Sequence, residues 1–476
     1  MLYAFTRRAY DLATARTTVV VLALAPFFWF MGASHMNHVS ALFFVAVFLY
    51  LLVLWEERGS SWILFGAGLA IGAGFLSRPL TALAVGIALT PFVLARARRE
   101  RDAGSVLAGA VGALAMVALY LAYNSVTTGD PFLPGYIKLW GADHGLGFHA
   151  TPWGEMHSPL AGVRNELTDL ALLSSLMFEG PVSALLPAGL LFAAGWASKE
   201  WDQRLMVGFL AIPLAYLFYW HRDAFLGPRY LYSGVAFLAP LTARGLLELF
   251  RRTAGRTLWE GSALTRVPVA SAAGMLLVLS FLYAAAYSTP RRFQVYRSGL
   301  ASMKVDLAAE ARASSGEDAL VFVSVSWGNR LLARMRGLGV SASGAETAYR
   351  QADHCALEMI LRRAEAEDWS RRRTAAAVAD LGPGGQTVPA SSPLTNGDPT
   401  LRLVPGVDLP ADCLDQIAYD RAGYSNYSPF LADQDPSLEG PLVIARDLRE
   451  RNRELTVAYP HRRALVYRSG RFSPLE

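Results

Sequence analysis

Cationic side chains lie beside long apolar segments at two places in this sequence. Arg78 separates two apolar runs, and His221, Arg222 and Arg229 lie between two others. A guanidinium at the mouth of a membrane span is costly unless it reaches the interface, pairs with a carboxylate or binds an anion. Two arginines and a histidine that meet near the outer leaflet would bind a lipid phosphate or pyrophosphate. Extension of each arginine to the interface, or pairing with a loop carboxylate, is the alternative.

Histidines and aromatic residues supply a second group of polar candidates. The segment 124–179 is too long for a simple connector and interleaves aromatic residues with histidines, which suits a sugar or a lipid headgroup. An interfacial belt of aromatic residues is the alternative. The candidate substrate-binding residues in this segment are Asn124, His144, His149 and His157. Three further candidates, His35, His38 and Tyr230, lie in other parts of the chain. His35 and His38 could share a metal on a helix, but no third ligand accompanies them, so we predict no metal and no cofactor.

Membrane helices must position these residues. A helix needs about 20 apolar residues to cross the bilayer, and the pattern predicts about nine spans over residues 1–290. The predicted spans lie near 17–34, 38–55, 61–77, 80–96, 104–123, 180–197, 205–220, 231–249 and 268–287. The predicted fold class is therefore a polytopic α-helical membrane protein.

The distribution of Lys and Arg predicts the orientation of these spans. With nine spans, the basic clusters at 7–16, 96–101, 199–204 and 251–266 all fall on one side, and basic loops tend to stay in the cytoplasm. The N-terminus is then cytoplasmic, and residues 291–476 are periplasmic or extracellular. All eight histidines of the chain lie outside. We therefore expect any chemistry on the outer side.

Residues 291–476 read as a water-soluble α/β domain. Strand patterns occur at 319–324, 401–404, 442–444 and 465–467, and helical patterns at 300–314 and 355–367. No phosphate-binding or hydrolase motif is present in this domain.

The two cysteines, Cys355 and Cys413, could form one disulfide in an oxidising compartment or remain separate buried thiols. The net charge of +5 comes from short basic clusters, which argues against a nucleic-acid partner.

Several short motifs of residues 1–290 resemble those of a known family. These motifs are Ser34–His38, Gly72–Pro79, Tyr123–Asn124 with Thr128–Pro131, and Gly227–Tyr230. Together they resemble bacterial GT-C glycosyltransferases, the polytopic enzymes related to protein O-mannosyltransferases and the lipid A aminoarabinose transferase. The resemblance covers most of residues 1–290, whereas that of the soluble domain is weaker.

The resemblance implies transfer of a hexose or pentose, with inversion, from a polyprenyl-phosphate donor. The acceptor would be a glycan, a lipid or a protein on the outer side of a bacterial inner membrane. Arg78, His221, Arg222 and Arg229 would stabilise the charge that develops on the leaving lipid phosphate. A carboxylate would act as general base toward the acceptor hydroxyl.

One departure from the family pattern concerns this carboxylate. Family members carry it in the first outer loop, but that loop is Ser34–His38 here and contains no acid. The comparison implies an N-terminally shortened chain that lacks this acid, with Asp130, Glu155 and Asp223 as outer-side carboxylates that could substitute. A non-catalytic membrane protein, such as a transporter or lipid-handling subunit, or an inactive remnant of the enzyme is the alternative.

Overall fold

The apolar first part of the chain folds into helices, and the last part folds into a smaller mixed unit. The computed structural model describes all residues except 35, 152–154, 223–225, 256–267, 299–305, 316–317, 383–408, 421–427, 432–433, 469 and 476. Contacts divide the chain into two units. The membrane unit comprises Met1–Lys138, His144–Thr151 and Met156–Arg292, and the C-terminal unit contains Phe293–Glu476 with two short stretches from the middle of the chain.

The first part of the chain is almost entirely helical. Its helices are α1 Leu2–Ala9, α2 Leu12–Ala23, α3 Pro26–Gly32, α4 His38–Arg58, α5 Ser61–Ser77, α6 Pro79–Glu100, α7 Ala103–Thr128, α8 Gly135–Trp140, α9 Pro159–Leu176, α10 Leu186–Ala193, α11 Glu200–Tyr216, α12 Val235–Thr253, α13 Val269–Tyr283 and α14 Thr289–Ser298. Short 3-10 helices cover Ala142–His144 and Arg229–Gly234, and a π-helical turn covers Ala284–Ser288.

Local sequence explains where the membrane helices begin and end. Gly59 adopts φ +65° directly after α4, a left-handed conformation that costs glycine little. Pro79 occupies the first turn of α6, where its missing N–H needs no partner. Asp102 accepts a hydrogen bond from the Ser105 N–H at 3.0 Å and thereby caps α7.

The nine predicted spans are not confirmed. Among the described residues, five helices are long and apolar enough to cross a membrane: His38–Arg58, Pro79–Glu100, Ala103–Thr128, Arg229–Thr253 and Val269–Tyr296. A sixth span results if α2 and α3, which meet at a 67° bend before Pro26, count as one. The chain is thus a multi-pass membrane protein with five or six candidate spans in its described part.

The predicted spans that fall short do so for local reasons. The predicted span 180–197 is helical only over Leu186–Ala193, because Pro181 lies ahead of this helix and Gly195 follows with φ +68°. The predicted spans 61–77 and 205–220 correspond to α5 and α11, which have 17 residues each. A helix of that length is at the lower limit for crossing the bilayer core.

Two of the spanning helices, α7 and Val269–Tyr296, have little buried surface. Only 11% of the apolar window of α7 is buried, compared with 78% for Arg229–Thr253 at the centre of the unit. Helix α7 nevertheless packs tightly on α5, because a Cβ atom added to Gly68 would lie 2.0 Å from the Gly109 carbonyl oxygen. Small residues allow two membrane helices to approach this closely. The remaining apolar surface of α7 suits contact with lipid.

The C-terminal unit is built on a four-stranded sheet with helices around it. Its elements are α15 Leu307–Ser315, β1 Ala319–Val323, α16 Trp327–Gly337, α17 Ala342–Gln351, α18 His354–Ala366, α19 Arg371–Ala379, α20 Ala411–Asp420, β2 Leu442–Arg446, α21 Asn452–Ala458, β3 Arg463–Arg468 and β4 Arg471–Pro474, with 3-10 turns at Ser428–Leu431 and Arg449–Arg451. The strand order is β2-β1-β3-β4. Strand β1 pairs in parallel with β2 and β3, whereas β3 and β4 are antiparallel.

The sequence patterns located three of these strands and missed one. Strands β1, β2 and β3 lie where strands were predicted, and β1 is buried along its whole length. Strand β4 was not predicted, and the predicted strand 401–404 lies outside the described residues. The pairing of Cys355 with Cys413, left open by the sequence, is a disulfide that joins α18 to α20.

Candidate active site

Four helix ends of the membrane unit bring polar and aromatic side chains together around Arg78. Arg78 lies at the junction of α5 and α6, where it faces the start of α4, the end of α11 and the 3-10 helix Arg229–Gly234. We call this group the Arg78 cluster, and its members are Asn37, His38, Arg78, Tyr216, Arg229 and Tyr230.

The Arg78 guanidinium donates hydrogen bonds to three neutral side chains. Its Nη2 donates to the Tyr216 hydroxyl at 2.7 Å, and its Nη1 lies 2.8 Å from His38 Nε2 and 3.3 Å from Asn37 Oδ1. Arginine can only donate, so His38 Nε2 accepts and the imidazole is neutral. Among the described residues, Arg78 forms no ion pair. These contacts therefore position its positive charge, and none of the described contacts neutralises it.

Tyr230 lies between the two arginines of the cluster. Its ring centroid is 5.0 Å from the guanidinium carbon of Arg78 and 5.4 Å from that of Arg229. The Tyr230 ring also stacks on Tyr216, with centroids 5.0 Å apart. Cations are attracted to the face of an aromatic ring. The two guanidinium groups can therefore remain near each other around a neutral, buried surface.

At the opposite end of the same helices, the arginines are paired with carboxylates. Arg204, near the start of α11, forms an ion pair with Glu56 at 2.6 Å, near the end of α4. Arg244 forms buried ion pairs with Asp202 and with Glu248, both at 3.3 Å. Pairing of this kind offsets the cost of removing charge from water. Arg78 has no such carboxylate partner in the part of the chain that the structure describes, which distinguishes the Arg78 end of the bundle.

A second polar group lies on α9. Glu166 and Asp169 are three residues apart on this helix and are only 8% and 2% exposed. The Arg222 Nε donates to Asp169 Oδ1 at 2.5 Å, whereas Glu166 Oε2 has no hydrogen-bond partner among the described residues. We call Glu166, Asp169 and Arg222 the carboxylate cluster.

The two acids of this cluster have different electrostatic environments. Helix α9 is not one of the five spanning helices. Burial, followed by repulsion from the Asp169 carboxylate, raises the pKa of Glu166 to about 8, and Arg222 partly opposes the shift. Burial also raises the pKa of Asp169, but the hydrogen bond and attraction from Arg222 oppose it directly. Among the described residues, Asp169 is thus the acid that forms an ion pair, whereas the Oε2 atom of Glu166 has no hydrogen-bond partner.

The predicted substrate-binding histidines of the 124–179 segment contact neighbouring parts of the chain. His157 Nε2 lies 3.1 Å from the Leu217 carbonyl oxygen, and the His149 ring nitrogens lie 2.9 Å and 3.2 Å from the carbonyl oxygens of Ala150 and Gly145. The buried His144 ring packs edge-on against Trp220, with centroids 5.4 Å apart. These three histidines hold the segment in place and lie outside the Arg78 cluster.

The other predicted site residues have varied positions. Asn124 is buried and donates to the Pro131 carbonyl oxygen at 3.1 Å, and the His221 ring lies against Trp220 and Tyr219. The exposed Asp130 carboxylate accepts from the Phe132 N–H at 2.8 Å, and Glu155 is also exposed. His35 and Asp223 lie outside the described residues. Within the described part of the chain, no three His, Cys, Asp or Glu side chains could hold a metal ion together.

Sequence reasoning missed Tyr216, Glu166 and Asp169. The hydroxyl of Tyr216 ends a predicted apolar span, where Tyr is common as an interfacial residue. Glu166 and Asp169 follow Ser158–Pro159, which is a helix-start signal, and lie on one face of α9. An acid pair three residues apart in a helix of the long segment was the available signal, and it could have been found.

The fold and the Arg78 cluster define a class of protein: a multi-pass membrane protein in which Arg78, at one end of the helices, has only neutral hydrogen-bond partners among the described residues. Residues 1–123 match the family model of dolichyl-phosphate-mannose-protein mannosyltransferase. The matched residues contain α1 to α6 and most of α7 of this chain. This match confirms the predicted resemblance to membrane glycosyltransferases of the GT-C type over those residues. Comparison with curated proteins and with solved structures gave no match.

Proposed function

We propose that this chain is a membrane glycosyltransferase that moves a hexose or pentose from a polyprenyl-phosphate donor to a glycan, lipid or protein acceptor. The reaction takes place on the outer side of a bacterial inner membrane, with the N-terminus in the cytoplasm and the C-terminal unit outside. The Cys355–Cys413 disulfide supports this orientation, because such bonds persist in oxidising compartments. The family match supports the class of reaction.

The observation that carries the proposal is the set of neutral partners around Arg78. Arg204 and Arg244 are held by carboxylates, so their charge serves the structure. Tyr216, His38 and Asn37 orient the Arg78 guanidinium and leave its charge available. A phosphate on a lipid that lies along the helices would bring its anion to this height in the membrane. Guanidinium groups bind phosphate with strong, directional hydrogen bonds.

The same charge would act on the chemical step. Transfer breaks the bond between the anomeric carbon and the donor phosphate oxygen, and the bonding electrons stay on that oxygen. Arg78 and Arg229 would stabilise the negative charge that builds up there, and a fixed cation needs no reorganisation to do so. Attack by the acceptor from the opposite face gives inversion at the anomeric carbon. Arg222 is already paired with Asp169, so the phosphate role falls mainly to Arg78, with Arg229 near the same Tyr230 ring.

Binding of polyprenyl phosphate to the full-length protein in detergent tests this proposal. Tryptophan fluorescence would report binding, and radiolabelled mannose on polyprenyl phosphate, with membranes from a strain lacking this chain as acceptor, would report transfer. Arg78→Ala should weaken binding by about 10-fold or more, because a hydrogen-bonded charge contributes about 1.5–3 kcal/mol. The control Arg98→Ala removes an exposed arginine from α6 and should change neither quantity.

The result also distinguishes the competing class of protein. If the wild type binds polyprenyl phosphate in an Arg78-dependent way but transfers no sugar, a lipid-handling role replaces the enzymatic one. If the wild type neither binds nor transfers, both the donor class and the role of the Arg78 cluster are wrong.

A further inference from the structure

Glu166 is the one acid of α9 that the protein buries without giving it a full set of partners. Its side chain is 8% exposed, and its Oε2 atom is inaccessible to solvent with no hydrogen bond among the described residues. A buried polar group without a partner costs about 1–3 kcal/mol. Such groups in folded proteins call for an explanation, and a bound ligand that supplies the missing hydrogen bond is one.

Helix α9 contacts the two described ends of the segment that connects Tyr216 with Arg229. Near its start, a Cβ atom on Gly162 would lie 2.3 Å from the Leu217 carbonyl oxygen, so the two backbones touch. At its end, Leu176 Cδ1 would lie 3.6 Å from a Cβ atom on Gly227. Glu166 is one turn after Gly162. The helix therefore places Glu166 beside the segment whose two ends belong to the Arg78 cluster.

The charged neighbours of Glu166 are Asp169, on the same helix, and Arg222, in the connecting segment. Asp169 is 2% exposed and pairs with Arg222, whose side chain is 33% exposed. The pair is neutral overall and fixes the register between α9 and the connecting segment. Asp169 and Arg222 are the charged groups that act on Glu166. Because Arg222 donates to Asp169 and Glu166 Oε2 has no hydrogen-bond partner among the described residues, the Glu166 carboxyl can interact with a hydroxyl.

We infer that Glu166 is the general base that receives the proton of the acceptor hydroxyl, with Asp169 and Arg222 as its positioning residues. This inference rests on the proposed function. The acceptor oxygen forms a bond to the anomeric carbon as its proton moves to the Glu166 carboxylate, and the bond from that carbon to the phosphate oxygen breaks. The lipid phosphate leaves with the bonding electrons, and the proton on Glu166 then passes to water.

The expected effects separate proton removal from donor binding. Glu166→Gln keeps the shape of the side chain but cannot accept a proton. It should bind polyprenyl phosphate within about 2-fold of the wild type, while mannose transfer from polyprenyl-phosphate-mannose to membrane acceptors falls by about 10²-fold or more. The control Glu100→Gln removes an exposed carboxylate from the end of α6 and should leave both quantities unchanged.

The pH profile provides a readout that a structural role would not change. Transfer by the wild type should rise with pH up to about 8, because the base must lose its proton first. Asp169→Asn removes the neighbouring negative charge and should move this rise to lower pH. Glu166→Asp retains a carboxylate on a shorter side chain and should transfer faster than Glu166→Gln.

The outcomes distinguish failure of the inference from failure of the proposed function. If the wild type transfers mannose and Glu166→Gln retains more than about one-tenth of its rate, Glu166 is not the base. An unchanged pH profile in Asp169→Asn would have the same meaning, even if Glu166→Gln does not fold. If the wild type shows no transfer and no Arg78-dependent binding, the proposed function itself is overturned and the inference with it.

Discussion

The Arg78 guanidinium donates to the Tyr216 hydroxyl at 2.7 Å through Nη2 and at 3.3 Å through Nε, across a separation of 138 residues. Thr81 Oγ1 lies 2.9 Å from the same hydroxyl. Tyr216 is 3% exposed, so this contact is largely shielded from water. One buried hydroxyl thus fixes the direction of the arginine to which we assign the donor phosphate.

Removal of this hydroxyl should weaken donor binding without removing the charge. Tyr216→Phe deletes the acceptor of the two hydrogen bonds that Arg78 donates to Tyr216 and keeps the aromatic ring. We expect the dissociation constant for polyprenyl phosphate to rise by about 5- to 10-fold, because a net hydrogen bond contributes about 1 kcal/mol. Fluorescence titration measures the change. The matched control is Tyr50→Phe, whose ring lies 6.0 Å from Arg8 at the other end of α4; an equal loss in both variants would contradict the assignment.

Arginines at the two ends of the bundle should differ in their effect on stability. Arg244→Ala leaves Asp202, which is fully buried, without the arginine that pairs with it. Loss of one member of a buried pair costs about 3–5 kcal/mol, so thermal unfolding in detergent should occur at a clearly lower temperature. Arg78→Ala leaves only neutral groups behind and should have a much smaller effect. Similar unfolding temperatures for the two variants would show that Arg78 also has a structural role.

The sequence predicted elements better than it predicted contacts. Helices α4, α6 and α7 follow from continuous apolar runs, and β1 follows from a short apolar strand pattern. The partners of Arg78 and Arg222 could not be predicted, because Tyr216 and Asp169 lie 138 and 53 residues away and local patterns carry no information about such pairings. For the same reason, the pairing of Arg204 with Glu56 was not foreseen. The sequence identified the arginines, but it did not show which of them form ion pairs with carboxylates.

The raised pKa of Glu166 should make stability depend on pH. Between the ordinary pKa of 4.5 and about 8, the folded protein retains a proton that the unfolded chain has lost. The unfolded state then binds fewer protons, so the free energy of unfolding falls as pH rises through this window. We expect the unfolding temperature of the wild type to decrease from pH 5 to pH 8. Glu166→Gln should flatten this dependence, and an equally steep curve would show that other groups cause it.

The disulfide should stabilise the C-terminal unit. Cys355 and Cys413 are 58 residues apart, and closing a loop of this size contributes about 2–4 kcal/mol. Reduction with dithiothreitol should therefore lower the unfolding temperature of the wild type. The double variant Cys355→Ser/Cys413→Ser should unfold at this lower temperature with or without reductant. A wild type that does not respond to reductant, although its thiols become accessible to alkylation, would contradict the prediction.

Cysteine labelling in whole cells should establish the orientation. In a background without Cys355 and Cys413, Phe132→Cys places a thiol at a 79% exposed position beyond α7, and Glu100→Cys places one at the exposed end of α6. A maleimide that cannot cross membranes should label Phe132→Cys in intact cells and Glu100→Cys only after lysis. Labelling in the reverse order would place the Arg78 end of the bundle in the cytoplasm.

The close contact between α5 and α7 has a consequence for biogenesis. Helix α6 lies between them in sequence but packs mainly on α11, so α5 and α7 can dock while α11 is still being synthesised. Arg78, at the junction of α5 and α6, is synthesised early, and its partners Tyr216 and Tyr230 emerge from the ribosome much later. A nascent chain that stops before Tyr216 therefore carries the arginine without the hydroxyl that orients it. Insertion of the first helices and completion of the Arg78 cluster are then separate events in time.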